Sequence, residues 1–128
     1  MPYKLHHIHL VCRNLQGMID FFADNFEAGL VGMKKFGGVD GASLDLCGTT
    51  INLRISHENE SLADPRSCKT YGYHHIGITV DDVDAEYKRL SDKGYKFPLP
   101  PQNVDETLRV AFLEGPENIT IELMQAKG

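Results

Sequence analysis

"HHIHLVCRN" (His6 to Asn14) and "HHIGITVDD" (His74 to Asp82) are two versions of one phrase. Each opens on His-His-Ile, alternates around apolar positions, and closes on a residue that caps helices well. A shift of 68 residues, His7 onto His75, also pairs Leu10 with Ile78, Asn14 with Asp82 and Leu15 with Val83. Near the ends of the two halves, "TINL" (Thr50 to Leu53) answers "TIEL" (Thr120 to Leu123) at a shift of 70, Asn52 onto Glu122. Matched phrases in the same order and at nearly the same spacing indicate a duplicated structural unit.

The pattern around these phrases predicts the unit. Residues 5–12 alternate as a strand does, and Asn14 then caps a helix whose apolar face is Leu15, Met18, Ile19, Phe22 and Phe26. Three further strands are expected near 29–36, 42–47 and 50–55, divided by Gly37-Gly38, Gly41 and Gly48. The second half repeats the plan. A strand at 74–80 leads to a helix capped by Asp82, with Val83, Tyr87 and Leu90 on one face and Gly94 as its stop. Strands near 95–98, 107–113 and 118–125 follow. The reading is an α+β protein of two tandem βαβββ modules, about 4–56 and 73–125, in a single domain spanning 1–128. The stretch 57–72 is polar, contains Asp64-Pro65 and lacks a period, so it is read as a linker and a candidate lid. Pro98, Pro100 and Pro101 are expected to form a second loop.

Composition narrows the partners. The chain has 128 residues, too few for two domains with separate cores. A formal charge of −5 without a basic run disfavours nucleic acid and anionic membranes, and no apolar stretch is long enough for a membrane span. The opening residues lack a basic and then apolar leader, so a cytoplasmic protein acting on a small molecule is expected. Cys12, Cys47 and Cys68 include no CxxC pair; Cys12 and Cys47 lie in apolar runs and are expected to be buried packing residues.

Strand alternation sorts the polar residues onto faces. His7 and His9 share one face of the first strand; Thr50, Asn52 and Arg54 share one face of the fourth. In the second half His75, Gly77 and Thr79 line up, as do Thr120, Glu122 and Met124. Apolar residues between them need the helices as cover, so the polar stripe faces solvent or a cavity made by curved sheets. A solvated face would be rich in Lys, Glu and Ser. This one gathers His, Asn, Arg and Glu, which favours a cavity. His7, His75 and Glu122, at repeat-related positions, constitute a two-histidine, one-carboxylate donor set. Such a set suits one divalent ion, Fe, Mn, Co, Ni or Zn, and leaves positions open for substrate.

The chain resembles the vicinal oxygen chelate superfamily, which includes glyoxalase I, methylmalonyl-CoA epimerase, extradiol dioxygenases, fosfomycin-resistance enzymes and bleomycin-binding proteins. The resemblance runs from "LHHIHLVCRNLQGMIDFF" through "YHHIGITVDDVDAEYKRLSDKGYKF" to "VAFLEGPENITIEL", similar to the family's F-x-x-D-P-x-G-x-x-(I/V)-E ending. It implies eight strands in a curved mixed sheet around a metal site, and His7, His75 and Glu122 match the family's ligands. It also implies a homodimer that covers sheet edges. The departures are equally specific. Asn52 stands where glyoxalase-like members have Glu and epimerase-like members Gln or Glu. Phe36, Gly37 and Gly38 occupy the region of the epimerases' extra glutamate, and Phe112 replaces the dioxygenases' tyrosine acid.

Roles follow as expectations. A metal-bound carbonyl acidifies the neighbouring C–H, and His9 is placed on the His7 face either as the base that takes the proton or as a wall histidine. Arg54 and Asn52 are candidate substrate-binding residues, with Arg54 suited to a carboxylate or phosphate, or else paired with Asp45 or Glu58. Glu122 serves as both ligand and catalytic carboxylate. His6 and His74 are expected to face away from the ligands, and Glu106 and Arg109 to be surface charges. The leading function is a metal-dependent lyase or isomerase that stabilises an enediolate of a small oxygenated anion. Fe(II)-dependent extradiol-type dioxygenation and non-catalytic small-molecule binding are the alternatives.

Overall fold

The computed structural model describes residues 2–63 and 71–127. The chain divides into two compact units, Met1–Ala63 and Asp64–Gly128. The first contains β1 (His7–Val11), α1 (Leu15–Phe26), β2 (Gly29–Phe36), β3 (Val39–Leu46) and β4 (Thr49–Arg54). The second contains β5 (Ile76–Thr79), α2 (Val83–Asp92), β6 (Leu99–Asn103), β7 (Leu108–Glu114), a short 3-10 turn (Pro116–Asn118) and β8 (Thr120–Ala126). Each unit is a βαβββ module with a four-stranded mixed sheet, in the orders β1-β4-β3-β2 and β5-β8-β7-β6. The expected duplication is therefore a duplication of topology. Residues 64–70 of the linker expected at 57–72, Cys68 among them, lie outside the described residues.

Both helices start where the sequence places them. The Asn14 side chain accepts from Gly17 N–H at 2.9 Å, and Asp82 accepts from Ala85 N–H at 3.1 Å, each satisfying a backbone donor that the first turn leaves open. Met18, Ile19, Phe21 and Phe22 of α1 bury against Leu44, Ile51 and Leu53 of its sheet. In the second unit Val83 and Leu90 of α2 are buried, as are Val110, Leu113, Ile121 and Leu123 of its sheet. A further bond, from Val83 N–H to the Gln125 side chain at 2.8 Å, ties the start of α2 to β8.

Two expectations are corrected. The sixth strand is not 95–98 but Leu99–Asn103, and it contains Pro100 and Pro101, which the sequence placed in a loop. A proline in a strand forfeits one ladder donor, which is tolerated at an edge or a bulge. β6 is an edge strand pairing only with β7, and its register shifts between Leu99 and Gln102, where the two prolines lie. Cys47 is exposed, unlike buried Cys12. Leu46 pairs with Thr49, so Cys47 and Gly48 are the two central residues of a tight hairpin turn. Their φ values of 53° and 90° suit the right-handed twist of the flanking strands, and the turn points Cys47 outward despite its apolar neighbours. At the end of the 3-10 turn, Asn118 stands where the resembled motif has glycine and takes a left-handed φ of 61°, which asparagine tolerates. Among the described residues no helix is long and apolar enough to cross a membrane.

Gly41 of β3 is required by its surroundings. A Cβ there would lie 2.3 Å from the Phe36 ring and 2.4 Å from the Leu53 carbonyl oxygen, and the backbone oxygen cannot yield. Gly41→Ala is therefore expected to cost about 1–3 kcal/mol, the range for overpacking a tight interior, read from the urea midpoint. An unchanged midpoint would show that β3 and β4 part more easily than their packing indicates.

Candidate metal and substrate site

Each module brings its first strand parallel to its last. In the first, β1 pairs with β4 so that His7 stands beside Thr50 and His9 beside Asn52. In the second, β5 pairs with β8 and Gly77 stands beside Glu122. Residues more than forty positions apart thus meet on one polar face because the helix occupies the other.

In module two, His75 Nε2 lies 3.1 Å from Glu122 Oε1, with both side chains half-buried. The Phe112 ring packs edge-on to His75 at 5.3 Å between centroids, on the strand next to Glu122. The Tyr73 hydroxyl donates to the Thr120 carbonyl at 3.4 Å, holding the approach to β5 against β8. His75 and Glu122 fit neighbouring ligands of one cation. With metal–donor bonds of roughly 2.0–2.2 Å, adjacent donors in octahedral or tetrahedral shells stand roughly 3.0–3.4 Å apart. His7, the third expected donor, belongs to module one. Among the described residues, no group of three or more His, Cys, Asp or Glu side chains is gathered to hold a metal ion.

Module one carries different chemistry at the equivalent places. Asn52 is buried, and its Oδ1 accepts from the hydroxyl of Ser43, its buried partner across β3. That bond engages one lone pair of the amide oxygen. His9 packs its ring edge-on against Phe36 at 4.7 Å and lies 6.2 Å from the His7 ring. Burial holds the His9 imidazolium below its ordinary range, and the charges of Arg54 and His7 push the same way. Phe36 is itself seated over Gly41, so the absence of a side chain there reaches through the aromatic ring to His9.

Arg54 pairs neither with Asp45 nor with Glu58. Its two terminal nitrogens donate to both oxygens of Glu60, at 2.8 and 2.9 Å. A turn after β4 explains this: Glu60 N–H bonds to the His57 carbonyl, and Glu60 Oε1 accepts from His57 N–H at 3.1 Å. Asp45 is engaged elsewhere, capping the hairpin turn at Gly48 N–H. Arg109 also exceeds its expected part as a surface charge. Its guanidinium grips both oxygens of Asp84 at 2.8 Å, tying β7 to α2. His6 and His74 do not face away from the ligand positions. Each meets the next imidazole through Nδ1, because β1 begins only at His7 and β5 only at Ile76, and strand alternation does not govern residues before it starts.

Two tandem βαβββ modules, each with a four-stranded mixed sheet, define a recognised fold class. A profile of the Glyoxalase/Bleomycin resistance protein/Dioxygenase superfamily matches residues 4–123, and the chain belongs to that superfamily. Solved structures share the fold. A glyoxalase family protein from Bacillus cereus superposes with a TM-score of 0.83 at 22% identity, covering 98% of this chain and 95% of that one. A genomically encoded fosfomycin resistance protein from Listeria monocytogenes gives 0.75 at 20%, covering 98% and 94%. A glyoxalase I mutant from Zea mays gives 0.78 at 19%, covering 98% of this chain and 45% of that chain.

The Arg54 guanidinium holds the Glu60 carboxyl far below the usual carboxylate range, at about 2, with the His57 backbone N–H adding to it. A carboxyl depressed by a native partner stabilises the fold above its unfolded value, and that stabilisation is lost as pH falls through the native one. For Glu60 the window runs from about 4.5 down to about 2. Side-chain carboxyl NMR is expected to show Glu60 titrating near the lower figure, and a midpoint near the upper one would mean that the Arg54 fork is open in solution.

Proposed function

We infer that this protein is a divalent-metal-dependent lyase or isomerase that abstracts a proton beside a carbonyl of a small oxygenated anion. The observation supporting this reading is the close approach of His75 Nε2 and Glu122 Oε1, together with the repeat-related His7 in module one. His7, His75 and Glu122 are assigned as the ligands. A cation held by them would polarise the substrate carbonyl and stabilise the enediolate oxygen. His9, two residues from His7 on the same strand face, takes the proton from carbon. Phe36 keeps the His9 ring in place, and Asn52, with its oxygen bonded to Ser43, donates Nδ2–H to a substrate oxygen. Arg54 receives the substrate's carboxylate or phosphate in exchange for Glu60.

Three variants test the assignment. His75→Ala is expected to abolish stoichiometric metal uptake while circular dichroism stays native, and one tightly bound ion per chain in that variant would remove His75 from the ligand set. His9→Gln is expected to lower turnover roughly 100- to 10,000-fold with metal uptake retained. The assay is exchange of substrate C–H for deuterium across a panel of 2-oxo and 2-hydroxy carboxylates in heavy water. Oxygen consumption with catechols, without any such exchange, would replace the lyase or isomerase reading by dioxygenation. Glu60→Gln is expected to lower KM for an anionic substrate several-fold at constant kcat, because the internal competitor for Arg54 is weakened.

A further inference from the structure

Two imidazole pairs repeat one geometry in separate modules. His6 and His7 meet Nδ1 to Nδ1 at 2.8 Å, with ring centroids 5.0 Å apart and planes at 85°. His74 and His75 meet at the same 2.8 Å, with centroids 5.1 Å apart and planes at 80°. Adjacent residues in a regular strand point to opposite faces, so this contact requires a chain not yet extended. His6 precedes β1, which starts at His7, and His74 and His75 both precede β5. The duplicated unit has kept this contact although the modules differ elsewhere, at His9 against Gly77 and at Asn52 against Glu122.

The geometry points to His6 and His74 as positioning residues, each orienting through Nδ1 the ligating imidazole that follows it. This rests on the ligand assignment above. A neutral imidazole has one N–H and one lone pair, so each Nδ1 contact contains a single hydrogen. With Glu122 ionised and both rings neutral, module two allows one assignment of the donor. An ionised carboxylate only accepts, so its contact with His75 requires the hydrogen on Nε2 of His75. Nδ1 of His75 is then a lone pair, and His74 donates to it.

For His75 Nε2 to act as a ligand it must shed that hydrogen, and the neutral ring must carry its hydrogen on Nδ1. The bond between the rings then runs the other way. Its hydrogen crosses from His74 Nδ1 to His75 Nδ1, the Nε2 hydrogen of His75 leaves to water, and exposed His74 takes one up at Nε2. Two hydrogens remain on two rings throughout, and no heavy atom has to move. A lysine in place of His74 would only donate and a carboxylate only accept, so either would serve one state and oppose the other. The same exchange is open to His6 and His7.

His74→Phe keeps a flat ring but removes both nitrogens, whereas His74→Asn places an amide near the position of Nδ1 that donates or accepts by turning over. Co(II) titration followed by visible absorption reads affinity. His74→Phe is expected to weaken Co(II) binding about 10- to 100-fold, because the Nδ1–H of the ligating ring loses its acceptor, with His74→Asn recovering most of the loss. His6→Phe gives the same expectation independently in module one. Unchanged Co(II) affinity in His74→Phe overturns the inference while leaving the ligand assignment intact. If the wild-type protein takes up no Co(II), the ligand assignment falls and the positioning role falls with it.

Discussion

The arrangement depends on the parallel pairing of the first and last strand in each module. A parallel pair cannot be closed by a tight turn, so a helix and two further strands must intervene between its members. The helix covers the apolar face of the sheet, and the polar residues of both strands are left together on the other. His9 beside Asn52 and Gly77 beside Glu122 are direct results of that pairing. Neither relationship is local in the chain, and both would vanish with a one-residue slip, which would exchange the two faces.

The two modules use one scaffold for different chemistry. In module two a carboxylate stands opposite glycine, and the imidazole of His75 approaches it from just before the strand. In module one the carboxylate is replaced by an amide whose oxygen is bonded to Ser43, and the glycine by His9 on its Phe36 support. An imidazole and a carboxylate meet in the second copy, while an imidazole, an amide and an arginine fork lie in the first. Both arginine forks are occupied by carboxylates of the same module. Arg109 on Asp84 joins sheet to helix, and Arg54 on Glu60 folds the chain after β4 back on itself.

Much of this was legible because the deciding signals are local. Asn14 and Asp82 announce helices by their capping chemistry, and the alternation of "HHIHLV" and "TIEL" identifies faces without any knowledge of partners. The misplaced sixth strand shows the limit. Pro100 and Pro101 mark a break unless the strand is an edge with a bulge, and edge status is a property of the sheet order. Cys47 shows the same thing at a turn, where the two-residue hairpin overrides the apolar run around it. The partner of Arg54 was missed because a turn, not a strand period, carries Glu60 to it.

By itself the sequence determined the duplication, the βαβββ order, both helix starts and the residues that share each polar face, because periodicity and capping are written in neighbouring residues. Only the tertiary structure decided which side chains actually engage: Ser43 with Asn52, Glu60 with Arg54, Phe36 with His9, and the inner with the outer histidine of each pair. Those choices depend on distances of a few ångströms between strands and turns, set by register, bulges and packing that no single segment encodes.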